Sequence, residues 1–192
     1  MGTRDEQPTD RQLAAAAARG AAGAIDELLE RHVDRVHAVC RRIVGNDHDA
    51  YDATQEALLA ITRGIGSFDG RAQFSTWCYR VATNAALDEV RRRTRRPSTV
   101  ETLPEPASTG PDLDAAVADR LDVDAALREI PVEYRAAVAL RDLAGLDYAE
   151  IALVLKIPAG TVRSRIARGR AALADRLGNR APDSDRPSNR TR

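Results

Sequence analysis

"LDYAEIALVLKIPAGTVRSRIARGRAAL", residues 146–173, reads as two helices around a tight turn. Tyr148, Ile151, Ala152 and Leu155 form an apolar stripe on the first helix, and Ala152 is small where a second helix would cross closely. Ile157 and Pro158 make the turn; Pro158 stands just before the second helix, where its missing N–H costs little. On a wheel of about 100° per residue, Val162, Ile166, Gly169 and Leu173 fall within about 60° of one another and point inward. Ser164, Ala167 and Arg168 point away, flanked by Arg163, Arg165 and Arg170. Residues 156–174 hold no acid, whereas arginines on a solvated helix usually alternate with glutamates. This is a helix-turn-helix layout, whose second helix suits a major groove, with arginines for guanine edges and phosphates. Lys156 sits where such a turn often wants glycine; a positive φ there costs on the order of 1 kcal/mol.

The remainder of the chain agrees with an all-α fold. Its 192 residues allow one medium domain or two small ones. Aromatic residues are 4% of the chain, so the core is built of Ala, Leu, Val and Ile. No alternating run of β-branched residues is long enough for a strand. No apolar run reaches about 18 residues, so no membrane insertion is expected. The N-terminal "MGTRDEQPTD" is polar and lacks a signal-peptide core, which predicts a cytoplasmic protein. Cys40 and Cys78 fall inside apolar helical patterns and read as buried core thiols. His37 and Cys40 are three apart, but two ligands do not make a metal site. No CxxC or HExxH pattern occurs, so no catalytic residue, metal or cofactor is predicted.

"TDRQ" (Thr9–Gln12) has the form of a capping box and starts an alanine-rich helix, interrupted by Gly20 and Gly23. A longer helix follows through Ile25, Leu28, Leu29, Val33, Val36, Val39, Cys40 and Ile43, ended by "VGND" (44–47). The next carries Ala50, Ala53, Ala57, Leu58 and Ile61. "GIGSFDGRAQF" (64–74) is a loop, and a helix runs from about Ser75 to Arg93. Proline-rich 97–114 reads as a flexible linker. From Pro97 to Asp119 there are five acids (Glu101, Glu105, Asp112, Asp114, Asp119) and no base. Helical patterning resumes near Leu113, with helices to about Ile130 and over 132–143, 148–155 and 159–177. The expected division is an N-terminal extension (1–19), a helical domain (20–96), the acidic linker (97–114), a second helical domain (115–178) and a disordered tail (179–192).

Two stretches of the first domain carry chemistry. Asp49, Asp52 and Glu56 stand at i, i+3 and i+7 with Gln55 beside them. Such a stripe serves a divalent cation, a basic partner or plain solvation; with no second ligand cluster, partner docking and solvation rank above metal. "FDGRAQFSTWCYRVATNAALDEVRRRTRRP" (68–97) joins a glycine-hinged loop to an aromatic-bearing helix that ends in Arg91, Arg92, Arg93, Arg95 and Arg96. Aromatics and arginines beside a loop suit single-stranded nucleic acid. Trp77 reads as core, and Asn84 is costly mid-helix unless it bonds something.

At these residues the chain resembles a bacterial extracytoplasmic-function (ECF, group IV) RNA polymerase sigma factor. "DAYDATQEALL" is similar to the region 2.2 motif, "SFDGRAQFSTWCYRVATNAALDEVRRR" resembles regions 2.3 and 2.4, and residues 127–173 look like region 4. The resemblance covers residues 20–178. It implies that Asp49, Asp52, Gln55 and Glu56 face the β′ clamp helices of core RNA polymerase, and that region 4 meets the β flap. It implies that the loop residues Phe68, Asp69, Gly70, Arg71 and Phe74, with Asn84, Arg91 and Arg92, hold unpaired −10 promoter DNA, comparable to base flipping. Thr161, Arg163, Ser164, Arg165 and Arg168 would meet the −35 element. The acidic linker would thread the polymerase's basic RNA-exit path. The family also implies an anti-sigma factor, often membrane-bound. Tyr51, Thr54 and Lys156 depart from the family's habit of an acid, an apolar residue and a glycine.

The formal net charge is zero, 29 basic against 29 acidic residues. The charge is sorted rather than absent, with bases at 91–96 and 163–170 and acids at 49–56 and in the linker. Neutrality weakens free binding to random DNA. Two other readings compete: a stand-alone helix-turn-helix regulator, and a metal-dependent enzyme built on Asp49, Asp52 and Glu56.

Overall fold

Residues 7–95 and 123–178 are described in the structure, a computed structural model. All regular structure among them is helical. Helix α1 (Asp10–Ala18) starts at the capping box read from the sequence: the Thr9 hydroxyl accepts from the Gln12 N–H, and the Gln12 side chain accepts from the Thr9 N–H at 2.8 Å. Helix α2 (Ala24–Val44) ends where Gly45 turns left-handed at φ 88°. Asn46 caps α3 (Asp47–Gly64) by accepting from the Asp49 N–H at 2.8 Å. After a 3₁₀ turn (Ile65–Ser67) and a short loop comes α4 (Phe74–Arg95).

Helices α2, α3 and α4 pack on one another, and α1 lies against α2. Leu28, Val36, Val39, Ile43, Ile61 and Cys78 are fully buried between them, with Cys40 and the nearly closed Trp77. Burial pushes the Cys40 thiol up to about 11 and the Cys78 thiol up to about 12. Thr54, at a position suited to an apolar side chain, is also buried. Its hydroxyl donates to the Ala50 carbonyl at 2.7 Å and lies 3.0 Å from His37 Nδ1, so its polarity is satisfied.

The second domain begins with a helical segment α5 (123–128), then α6 (Val132–Val138), α7 (Tyr148–Leu155) and α8 (Ala159–Gly178). The sequence predicts one helix over 132–143, but its last part, Ala139–Leu143, widens into a π turn. There the Ala144 N–H reaches back five residues to the Ala139 carbonyl. The expected stripe on α7 holds for Ile151, Ala152 and Leu155, which pack against the core, but not for Tyr148. Ile151 and Val154 are buried, while Tyr148 is exposed, with the guanidinium groups of Arg141 and Arg163 over its ring at 5.2 and 5.9 Å. Lys156 caps α7 at φ 54°, the left-handed conformation its position suggested.

The inward stripe of α8 is as read: Val162, Ile166 and Gly169 are buried and Leu173 is half-buried. A Cβ on Gly169 would stand 2.6 Å from Val138 Cγ2 and 3.3 Å from the Tyr134 carbonyl oxygen, so the crossing of α8 over α6 requires glycine.

The two domains touch. Asp124 on α5 is buried against Arg41 and Arg42 near the end of α2, and Arg41 also holds Asp47 at 2.5 Å. Gly45 lies beneath the Arg128 and Arg135 side chains, and Thr76 on α4 bonds Glu150 on α7. Burial, with Arg93 nearby, pulls the Arg135 pKa below its ordinary value. The expected linker (97–114), tail (179–192), Arg96 and the onset of helix near Leu113 lie outside the described residues.

Candidate nucleic-acid interface

The outer face of α8 holds Gly160, Ser164, Ala167, Arg168 and Ala171, all exposed, with Arg163 and the half-buried Thr161 and Arg165 at its margins. Small residues along the centre and cations at the edges fit a helix laid in a groove. The four arginines differ in their freedom. Arg170 is committed to Asp142 on the π turn, whose carboxylate raises its pKa. Arg163 leans on the Tyr148 ring, and Arg168 reaches the Tyr134 hydroxyl at 3.4 Å. Arg165 has no ion pair among the described residues. Ser164 donates to the Thr161 carbonyl at 2.9 Å.

On α4 the Asn84 side chain is exposed, which answers its apparent cost mid-helix. The arginine cluster is less bare than its sequence suggests. Arg91 pairs with Asp88 at 2.9 Å, Arg92 with the fully buried Glu89, and Arg93 with Asp49 at 3.5 Å. The loop before α4 is organised around aromatic rings. Phe68, Phe74 and Trp77 have centroids 5.4 to 5.6 Å apart. Asp69 accepts from the Arg71 N–H at 3.0 Å, and Gly70 is left-handed at φ 69°. A cavity of about 450 Å³ opens here, lined by residues of the loop and of the start of α1.

On α3 the acidic stripe divides. Gln55 and Glu56 are exposed and Asp52 is half-exposed, but Asp49 is turned toward Asn46 Nδ2 at 2.8 Å and Arg93. Exposed Tyr51 and Leu59 share this surface. Among the described residues no group of three His, Cys, Asp or Glu side chains is placed to hold a metal ion.

Comparison with known proteins settles the family. The Sigma-70 region 2 family model matches residues 28–96 and the Sigma-70, region 4 model matches residues 120–173. The chain is 39% identical over 178 residues to ECF RNA polymerase sigma factor SigM of Mycobacterium tuberculosis (strain ATCC 25618 / H37Rv), covering 93% of this chain and 89% of that protein. The chain belongs to the ECF RNA polymerase sigma factors. Against ECF RNA polymerase sigma factor SigE of Mycolicibacterium smegmatis the identity is 42% over 166 residues, covering 83% of this sigma factor and 63% of that one. Among solved structures, CnrH in complex with the cytosolic domain of CnrY superposes with a TM-score of 0.69 at 26% identity, covering 90% of this chain and 99% of that one. The sigma factor RpoE, in complex with the anti-sigma factor NepR, from Bartonella quintana shares the fold, with a TM-score of 0.67 at 22% identity and coverage of 86% and 100%.

Two features of this sigma factor escape the sequence reading. Arg80, Asn84, Asp88, Arg91 and Arg95 are all exposed, and within about 80° of one another on the α4 wheel. Arg80 therefore joins the basic face; the i, i+4 spacing to Asn84 was the available signal. The second is the capping box of α7, in which Asp147 accepts from the Glu150 N–H and Glu150 from the Asp147 N–H, at 2.8 and 2.9 Å. Its D-x-x-E spacing ahead of an apolar run signalled it.

Proposed function

We propose that this sigma factor combines with core RNA polymerase and directs initiation at specific promoters. Helix α8 reads −35 duplex through Thr161, Arg163, Ser164, Arg165 and Arg168. The loop Phe68–Phe74, with Asn84, Arg80, Arg91 and Arg92 along α4, holds the unpaired −10 strand. The observation that carries this is the pairing, in one chain of this family, of a narrow basic helix face with an aromatic-floored loop on a second domain. Each suits a different form of DNA.

The chain acts by binding, and bond-making belongs to the polymerase. Work on polymerase and promoter places it in the cytoplasm; among the described residues no helix is long and apolar enough to cross a membrane. Asp52, Gln55 and Glu56, with Tyr51 and Leu59 between them, form the surface for the β′ clamp helices, while Asp49 contributes by fixing the start of α3. Region 4 meets the β flap, and an anti-sigma factor is the expected restraint: RpoE is found with the anti-sigma factor NepR, and CnrH with the cytosolic domain of CnrY.

The docked domains represent a resting arrangement. The −10 and −35 elements lie about 25 base pairs apart, or about 85 Å along B-DNA. Here Thr76 and Glu150, one from each reading domain, are 3.0 Å apart. Promoter engagement therefore separates the domains. The test is reconstitution: the purified chain is mixed with core polymerase, transcript starts are mapped, and run-off synthesis is measured. Initiation from specific sites is expected. Specific duplex binding by the chain alone, without initiation, would identify a stand-alone helix-turn-helix regulator instead.

A further inference from the structure

Helix α1 lies ahead of residue 28, where the region 2 match begins. Yet the cavity beside the loop has two walls. Phe68 and residues 70–75 form one; Thr9, Asp10 and Arg11 form the other. Its size is that of a small-ligand site.

We infer that α1 is part of the single-strand site, with Arg11 holding the backbone phosphate of the nucleotide whose base enters this cavity. The inference rests on the proposed promoter reading and deepens it. Arg11 is exposed and carries no ion pair among the described residues, whereas Arg71 across the mouth lies 3.4 Å from Asp69. Arg11 Nε stands 3.8 Å from where a Cβ on Gly70 would be, so its guanidinium overhangs the turn at the rim. The nearest other charge on α1 is already committed. Asp10 holds His32 Nε2 at 2.6 Å and Arg31 at 3.1 Å, leaving no free carboxylate on that helix to repel a phosphate.

The same contacts make α1 a fixed support rather than a loose extension. Arg31 also donates to the Pro8 carbonyl at 2.7 Å, and Leu13 and Ala14 are buried. The His32 ring meets the Phe74 ring edge-on at 5.3 Å, and Phe74 meets Phe68. The anchor of α1 and the aromatic floor of the cavity are thus one packed unit. A rigidly held cation beside stacked rings matches an unpaired nucleotide, whose base stacks and whose phosphate pairs.

The test uses holoenzyme reconstituted from the full chain and core polymerase. The probes are a fluorescent single-stranded oligonucleotide of the −10 non-template strand, from a promoter located by transcript-start mapping, and the matching −35 duplex. Arg11→Ala should weaken the single-strand probe about tenfold and lower its log–log salt slope by about 0.7. Arg11→Lys should recover most of the loss. Duplex binding and the melting temperature of the free chain should not change. Wild-type single-strand binding by Arg11→Ala overturns the inference while the promoter reading stands. So does a parallel loss of duplex binding or of melting temperature, which would mark a structural role. Failure of the wild-type holoenzyme to initiate anywhere overturns the promoter reading itself, and this inference with it.

Discussion

The Thr76 hydroxyl on α4 donates to Oε1 of Glu150 on α7 at 3.0 Å, a hydrogen bond between the two domains. The other oxygen of Glu150 caps its own helix through the Asp147 N–H. One carboxylate therefore serves local and interdomain order together, and Thr76→Val removes only the second. Combined with Asp124→Ala, which frees Arg41 and Arg42, it should open the docked pair. Small-angle scattering should show a larger radius of gyration with helical content unchanged. An unaltered scattering curve would place the docking energy elsewhere.

Gly169→Ala should destabilise the second domain by about 1–3 kcal/mol, because the added methyl meets Val138 and the Tyr134 backbone. Gly160→Ala, exposed on the same helix with nothing within 4 Å, should instead stabilise by about 0.5–1 kcal/mol. Urea unfolding of the two variants decides it; equal effects would contradict the close crossing.

Arg165→Ala and Arg168→Ala should each reduce the salt slope of −35 duplex binding by about 1. Arg170→Ala should change it less, since Asp142 already holds that guanidinium. Holoenzyme titrations between low and moderate salt would rank the three. Equal slopes would mean that the Asp142 pair opens at no cost.

Both thiols should resist alkylation in the native chain at pH 8, with Cys40 and Cys78 reacting only after unfolding. Their pKa values rise on folding from 9.0 to about 11 and about 12. Between the ordinary value and these raised values the folded chain retains protons that the unfolded chain loses. Stability from this source is thus complete below pH 9 and falls as pH rises through 11 to 12. Asp10 works in the opposite sense. Burial raises its pKa, but hydrogen bonds from His32 and Arg31 outweigh that and leave it lowered, so its contribution is lost as pH falls below about 4. Melting temperatures across pH 3–12 would reveal both edges.

What the sequence disclosed was local or periodic. The Thr9–Gln12 cap needs only three residues' spacing, and the Val162, Ile166, Gly169 stripe is narrow enough to fix a phase. The stripe of α7 was misread only at Tyr148, which is held by arginines rather than buried, and it omitted the buried Val154, because eight residues barely define a phase. The π turn leaves no compositional mark. The pairing of Arg170 with Asp142 and of Arg93 with Asp49 depends on tertiary placement, so a run of arginines looked freer than it is. Arg92 with Glu89 and Arg91 with Asp88 stood at i, i+3 and were legible by spacing alone.

Those α4 pairs change what nucleic-acid binding releases. A bare arginine that meets a phosphate frees a condensed cation from the DNA, and the gain in entropy drives association. Arg91, Arg92 and Arg93 must first leave Asp88, Glu89 and Asp49; the exposed Asp88 then collects a cation of its own, whereas the buried Glu89 is left with an uncompensated charge, which raises the cost of the swap. The surface behaves as an ion exchanger, with a shallow response to salt and little appetite for arbitrary DNA until a correctly shaped strand repays the swap.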